Sequence, residues 1–407
     1  MANVDRGFWF KQYIYFEPPA DAIEGLESDW IIYENRSSST HVTVIGYKGP
    51  NTEIVVPDYI GKRYVRMDVF GTSFLNSANT SSTGNNVTSI GISNYVTGYS
   101  WQVENSFEYM FDRSKNLKTF TGNIPNSVTI MSQTFRNCSN LTSTIPNIPN
   151  SVTRMWGTFH WCYNLTGTIP NIPNSVTNMC NTFNGCSNLT GNIPNIPNSV
   201  TNMISTFDGC SNLTGTIPNI PNNVTNMYRT FYNCSNLTGM TEYIGNNVTS
   251  MGSTFYLCSN LTGNIPNIPD SVTDMYETFG SCSNLTGTIP NIPDSVTSMY
   301  STFYSCINLT GMTKHIGNSV TDMFQTFHMC RNLTGTIPNI PDSVTSMYRT
   351  FYSCSNLTGM TEYIGNSVTS MANTFYMCSN LTGNIPNIPD SVTNMSYSFY
   401  SCSNLTG

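Results

Sequence analysis

A cysteine returns every 24 residues, twelve times without a slip, from Cys138 through Cys162, Cys186 and Cys210 to Cys378 and Cys402. Each sits in a near-copy of one sentence, IPNIPxSVTxMxxTFxxCSNLTG. Counting back from Gly407 in steps of 24 gives thirteen units over 312 residues and reaches Val96, where the pattern decays. Phe107, Met110, Phe111, Ser114, Asn116 and Leu117 still keep the frame, with Ser114 in the cysteine slot. A unit this short cannot bury its own apolar face and must stack on its neighbours, so residues 96–407 are expected to form a solenoid with a long, thin core. Residues 29–95 then read as a strand-rich N-terminal capping region, and 1–28 as an aromatic attachment segment.

Within one unit, Asn-Leu-Thr-Gly-x-Ile and Ser-Val-Thr-x-Met alternate apolar and polar residues, the period of a half-buried strand. The IPNIPN segment between them cannot be a central strand, because each proline lacks a ladder donor. It must turn a corner. Met203, Phe207 and Cys210 are spaced i, i+4, i+7, which fits two helical turns with one buried face. The expected fold is therefore a β-rich solenoid of leucine-rich-repeat type, with two short strands and a short helical turn in each 24-residue unit.

Charged residues are 10% of the chain against about 25% in a typical globular protein. The net charge of −7 provides no basic stripe, which argues against nucleic acid as a partner. No stretch approaches the length of a membrane span. The N-terminus lacks the continuous apolar run of a signal peptide, since Asp5, Arg6 and Lys11 interrupt it. Thirteen cysteines would suggest a disulfide framework in a small secreted chain, but twelve hold one equivalent position and only Cys180 is extra. We read them as a ladder of buried free thiols. His160 and His328 near cysteines are isolated cases, so no metal is expected, and no cofactor. Asp270, Asp274, Asp294 and Asp342 fall where Asp alternates with Asn between copies, so turn chemistry accounts for them and no enzyme is expected. The Asn before each repeat Leu, such as Asn188, Asn212 and Asn236, is expected to hydrogen-bond turn backbone in a stacked ladder.

The repeat resembles the BspA-like leucine-rich repeats, a surface-protein family whose units read IPxSVTxIxxxAFxxCxxLTxI. The match runs through Ile148, Pro149, Ser151, Val152, Thr153, Phe159, Cys162 and Leu165 and recurs down the array. The doubled IPNIP, and Met where the family has Ile, are departures. The stretch 41–74 also looks like the strand-rich start of such arrays, with Phe70 or Phe74 in the helical-turn slot. The resemblance implies adhesion, with protein or glycan bound at a surface, and implies no catalysis.

A second kind of unit replaces IPNIPN with MTEYIGN or MTKHIGN, at 240–246, 312–318 and 360–366. Residues 216–273 and 336–393 are near-copies offset by 120, which points to recent duplication. Specificity must lie in the variable slots. One, directly after the repeat Met, holds Trp156, Tyr228, Tyr276, Tyr300, Phe324 and Tyr348. Another, directly after the repeat Phe, holds His160, Tyr232, Tyr304, His328 and Tyr352. Four residues apart, the two slots should share one helical face and form a binding stripe. At the N-terminus, Phe8, Trp9, Phe10, Tyr13, Tyr15 and Phe16 are candidates for an anchor that caps the first rung or inserts into a partner. Both array edges are expected to be covered by another protein chain, because an open rung leaves strand groups unpaired.

These features predict a non-enzymatic adhesin or display protein at a cell surface, carrying a rod on the order of 60 Å long. The alternative is a virion component, such as a phage fibre or decoration protein.

Overall fold

The computed structural model describes residues 24–34, 37, 39–61, 63–69, 74–75, 86–92, 96–100 and 103–406. The candidate anchor residues Phe8 to Phe16, and Phe70, lie outside them. Among the described residues there is no α-helix, and a 3-10 turn spans Glu27–Asp29.

The described part begins with genuine sheets. Strands β1 (Trp30–Ile32), β2 (His41–Tyr47), β4 (Tyr59–Ile60), β5 (Arg63–Val69), β7 (Thr97–Ser100) and β8 (Val103–Glu104) form one sheet in which β2, β5 and β7 run parallel. Strands β3 (Glu53–Val55), β6 (Ser89–Ile92) and β9 (Thr119–Gly122) form a second, all-parallel sheet. His41–Tyr47 is HVTVIGY, rich in the branched and aromatic residues that suit a pleated surface. Phe74 hands this region on to the array: its N–H bonds Met110 O at 2.9 Å, and its ring meets Phe111 at 6.5 Å. From Phe111 and Phe135 onward the phenylalanines form a spine. Successive rings from Phe135 to Phe399 lie 5.2–5.8 Å apart and nearly parallel.

In the array, the expected strands shrink to single parallel bridges, such as Thr168↔Thr190 and Asn178↔Asn202. After β9, β10 (Gly191–Asn192) with β11 (Leu213–Thr214), and β12 (Gly383–Asn384) with β13 (Leu405–Thr406), reach two residues. The cause is local. The Gly after each Thr is mostly left-handed, as at Gly167 (φ +84°) and Gly335 (φ +100°), and prolines follow within three residues. An extended segment has no room to grow.

The expected helical turn is not helical, and this corrects the sequence reading. After Met203 come two consecutive four-residue turns, Met203–Thr206 and Phe207–Cys210, closed by Thr206 N–H to Met203 O (3.1 Å) and Cys210 N–H to Phe207 O (3.0 Å). The third residue of each is left-handed: Ser205 at φ +48° and Gly209 at φ +75°. That is the type II signature, and it cannot continue as a helix. It also leaves alternate N–H groups pointing at the next rung. Met203, Ser205, Phe207 and Gly209 donate to the carbonyls of Asn226, Tyr228, Thr230 and Tyr232 at 2.8–3.1 Å. The turn face thus carries the densest inter-rung bonding in the array.

Side chains add to that ladder. Thr182 Oγ1 lies 2.8 Å from both Met155 O in the preceding rung and Met179 O in its own. Each repeat cysteine is free, and its thiol donates to the phenylalanine carbonyl of the preceding rung at 2.9–3.1 Å. Burial pushes these thiols well up, to about 12 at Cys258 and Cys330. The Asn ladder takes two forms. Asn140 and Asn164 donate to backbone carbonyls, whereas Asn260 and Asn332 donate to the Asn of the preceding rung. Inward, the rungs from Val128 to Leu381 bury Val, Met, Phe, Cys, Leu and the corner apolar residues, and the last rung buries its set only in part.

Candidate binding surface

Both aromatic slots occupy the second position of a type II turn, one in each of the two consecutive turns. This repetition, not a helical face, brings them side by side. Where aromatic residues recur, the rings stack rung on rung. Tyr276, Tyr300, Phe324 and Tyr348 make one column, with centroids 4.8–5.1 Å apart. Tyr304, His328, Tyr352, Tyr376 and Tyr400 make another, at 4.6–5.1 Å. Tyr232 pairs with Tyr256 at 5.4 Å. Arg349 joins the two columns, its guanidinium 5.1 Å from the Tyr348 ring and 5.5 Å from Tyr352. Arg229 lies 3.8 Å over Tyr232 and holds Asp208 at 2.9 Å.

The sequence brought these residues together but not their presentation. Faces inside the columns are taken by neighbouring rings, so solvent meets mainly edges and hydroxyls. Tyr228 and Tyr276 are exposed, and Tyr300, Tyr304, Phe324, Tyr348 and Tyr352 are half-buried. His328 is buried at 6% exposure, and its Nδ1 has no hydrogen-bond partner. Burial and the nearby Arg349 lower its pKa to about 4. His160, with Arg136 nearby, is likewise lowered to about 4, mainly by burial. Trp156 and His160 stand apart from both columns, with Cys180 and Asn184 as their successors in the next rung.

Two features escaped the sequence reading. The first is the role of the second kind of unit. Met240 is buried in the place of Ile217, so one residue has moved from the strand side to the corner, which bulges by one. Gly239 forms the bridge to Thr216, and a Cβ there would collide with the Thr216 side chain. The bulging residue reaches back one rung: Tyr243 O–H to Asn222, Tyr363 O–H to Asp342, and His315 Nε2 to Asp294 at 2.9 Å. These contacts, with backbone N–H groups of Asn318 and Asn366, hold Asp294 and Asp342 below the usual carboxylate range. Tyr243 and His315 wall a groove of about 650 Å³ floored by Pro266, Ile268, Ile292 and Pro293.

The second is an exposed aromatic pair, Trp161 and Tyr163, at 44% and 45% exposure. The signal was present. These rings fill slots that are mostly small or polar in other rungs. Among the described residues no cluster of three or more His, Cys, Asp or Glu is placed to hold a metal, and no helix is long and apolar enough to cross a membrane.

A coil of parallel rungs with Leu, Val, Met and Phe facing inward along the array is a leucine-rich-repeat solenoid. The chain belongs to the family described as "Mycoplasma protein of unknown function, DUF285", whose signature matches residues 105–219, 172–268, 225–340 and 345–407. Among solved structures, a leucine-rich repeat protein from Bacteroides ovatus is 19% identical, with a TM-score of 0.52 over 90% of this chain and 97% of that one. A leucine rich cell surface protein from Faecalibacterium prausnitzii is 20% identical, with a TM-score of 0.45 over 92% and 94% of the two chains. A T. pallidum leucine rich repeat protein is 17% identical, with a TM-score of 0.36 over 58% and 90%. The first of these supports the fold. No curated protein sequence matches the chain.

Proposed function

We propose that the chain is a non-enzymatic, BspA-like repeat adhesin or display protein that binds protein or glycan through its turn face, at a cell surface. The observation that carries this reading is the pair of stacked aromatic columns bridged by Arg349. They form a stiff strip of ring edges and hydroxyls on an otherwise polar, weakly charged rod. Tyr and Trp combine contact area with a polar handle at low entropic cost, which suits them to recognition. Attachment is assigned to the aromatic segment 1–28, with the edges of the array covered by other chains. The similar structures give the virion alternative no support.

The test is a panel of glycans, cell-wall fragments and purified surface proteins presented to the full chain. Binding that is lost in Tyr300→Ser/Tyr348→Ser, measured well below the variant's melting temperature, supports the reading. Absence of binding across the panel, or binding indifferent to these substitutions, counts against it.

A further inference from the structure

Stacking decides which rings can offer a flat face. In the columns, each ring covers the next at 4.6–5.1 Å, so faces are consumed inside the protein. Trp161 and Tyr163 are placed differently. The equivalents of Trp161 in the flanking rungs are Asn137 and Gly185, and those of Tyr163 are Ser139 and Ser187, so no ring of a flanking rung stacks on either; within the rung the His160 imidazole meets Trp161 at a 40° tilt. Glycine leaves room beneath them. A Cβ on Gly185, at φ +80°, would lie 3.0 Å from Trp161 Cδ1 and 3.3 Å from Tyr163 Cε1. In the following rung Gly209 again carries no side chain, and a Cβ there would lie 3.7 Å from Gly185 Cα. Two large rings therefore rise from one rung and flank a floor of bare backbone two rungs deep.

Their cost is visible as well. Trp161 sits at φ +62°, where a bulky side chain is strained, and glycine fills that slot in the next two rungs. The charges nearby, Arg113, Arg136 and Asp112, form one ion-paired group. Arg136 is held by both oxygens of Asp112 at 2.7 Å, and the imidazole of His160, whose ring centroid is 4.3 Å from that of Trp161, is neutral at pH 7. Asn137, Asn164 and Ser187 line the flanks with amides and a hydroxyl.

From this arrangement we infer that Trp161 and Tyr163, over Gly185 and Gly209, form a binding site for a neutral pyranose glycan. The C–H face of a sugar ring packs on the aromatic faces, and its hydroxyls meet amides and backbone. An anionic ligand would have to compete with Asp112 for Arg113 and Arg136. The site rests on the reading of the turn face as a binding surface, but it uses different residues from the columns.

Cellohexaose and chitohexaose, with polygalacturonate as a charged control, are titrated into the full chain and followed by calorimetry and tryptophan fluorescence. The informative variant is Trp161→Gly/Tyr163→Ser, which gives this rung the residues of its neighbour, Gly185 and Ser187, and so preserves folding. We expect at least one neutral oligosaccharide to bind and shift the tryptophan emission. The variant should bind at least tenfold more weakly, with an equal or higher melting temperature, while Tyr300→Ser/Tyr348→Ser leaves that binding intact. Failure of both neutral probes to bind, preference for polygalacturonate, or equal affinity in the variant would overturn the inference. A glycan lost only in Tyr300→Ser/Tyr348→Ser would overturn it too, yet leave the column reading standing.

Discussion

The leading region and the array continue the same stacking direction with different chemistry. In the leading region, β2 and β5 hold each other by four consecutive parallel pairs, His41↔Tyr64 to Val44↔Met67. In the array, most rungs meet by one bridge on each strand side, and the turn face takes over. A long β-branched strand keeps its ladder in the backbone. A 24-residue sentence that spends residues on prolines and left-handed turns must move cohesion elsewhere. It moves it to the turn amides, the Thr and Cys side-chain ladders and the Phe spine.

The largest effect should come from the spine. Phe231 lies 5.6 Å from both Phe207 and Phe255 and is fully buried, so Phe231→Ala should cost about 3–5 kcal/mol. Tyr232→Ala, which removes a half-buried ring and the Arg229 contact, should cost about 1 kcal/mol. Equal losses in urea melts would remove the distinction between core and surface column.

Next comes pH. His328 ionises near its ordinary value when unfolded and at about 4 when folded. A depressed histidine gives stability that is complete above the unfolded pKa and is lost as pH falls from about 6.5 towards 4. Up to about 3 kcal/mol is at stake, because one pKa unit is about 1.4 kcal/mol. Urea midpoints should drop between pH 7 and 4.5, and His328→Tyr, which completes the tyrosine column, should flatten that drop. An unchanged slope would mean the imidazole is solvated.

A smaller loss tests the side-chain ladder. Thr254 Oγ1 lies 2.8 Å from Met227 O and 2.7 Å from Met251 O, fully buried. Thr254→Val keeps the shape and strips the donor, at about 1–2 kcal/mol. Were the array held by strands, as the leading region is, the change would be nearly silent.

The smallest effect is a gain. Leu257 and Met329 are left-handed at φ +63° and +62°. Leu257→Gly or Met329→Gly should stabilise by about 0.5–1 kcal/mol, the relief of strain less the entropy of glycine. Destabilisation by either would show that these side chains pack better than their backbone suggests.

The period and the inward residues were legible because the same side chain recurs in every copy of a slot. The turn face was misread for a definite reason. Met203, Phe207 and Cys210 at i, i+4, i+7 fit two helical turns, and they fit two successive four-residue turns equally well. The discriminating signal lay in the slots between, where Gly157, Gly185, Gly209, Asn137, Asn181 and Asn233 are the residue types that tolerate φ above zero. The aromatic slots were legible too. So was the packing of Tyr on Tyr from rung to rung, whereas the placement of both slots on type II turns was not, since it depends on turn geometry rather than spacing. Trp161 and Tyr163 were passed over because their slots are mostly small or polar elsewhere.

Residue-resolved amide hydrogen exchange tests the central claim most directly. If the turns are the principal ladder of the array, the amides of Met203, Ser205, Phe207 and Gly209 should exchange most slowly. Those of Asn195 and Ile196 at the proline corner should exchange fast, and in the leading region the slow amides should lie within β2 and β5. Slow exchange confined to the strand-side bridges of the array, with fast exchange along Met203–Gly209, would contradict the account.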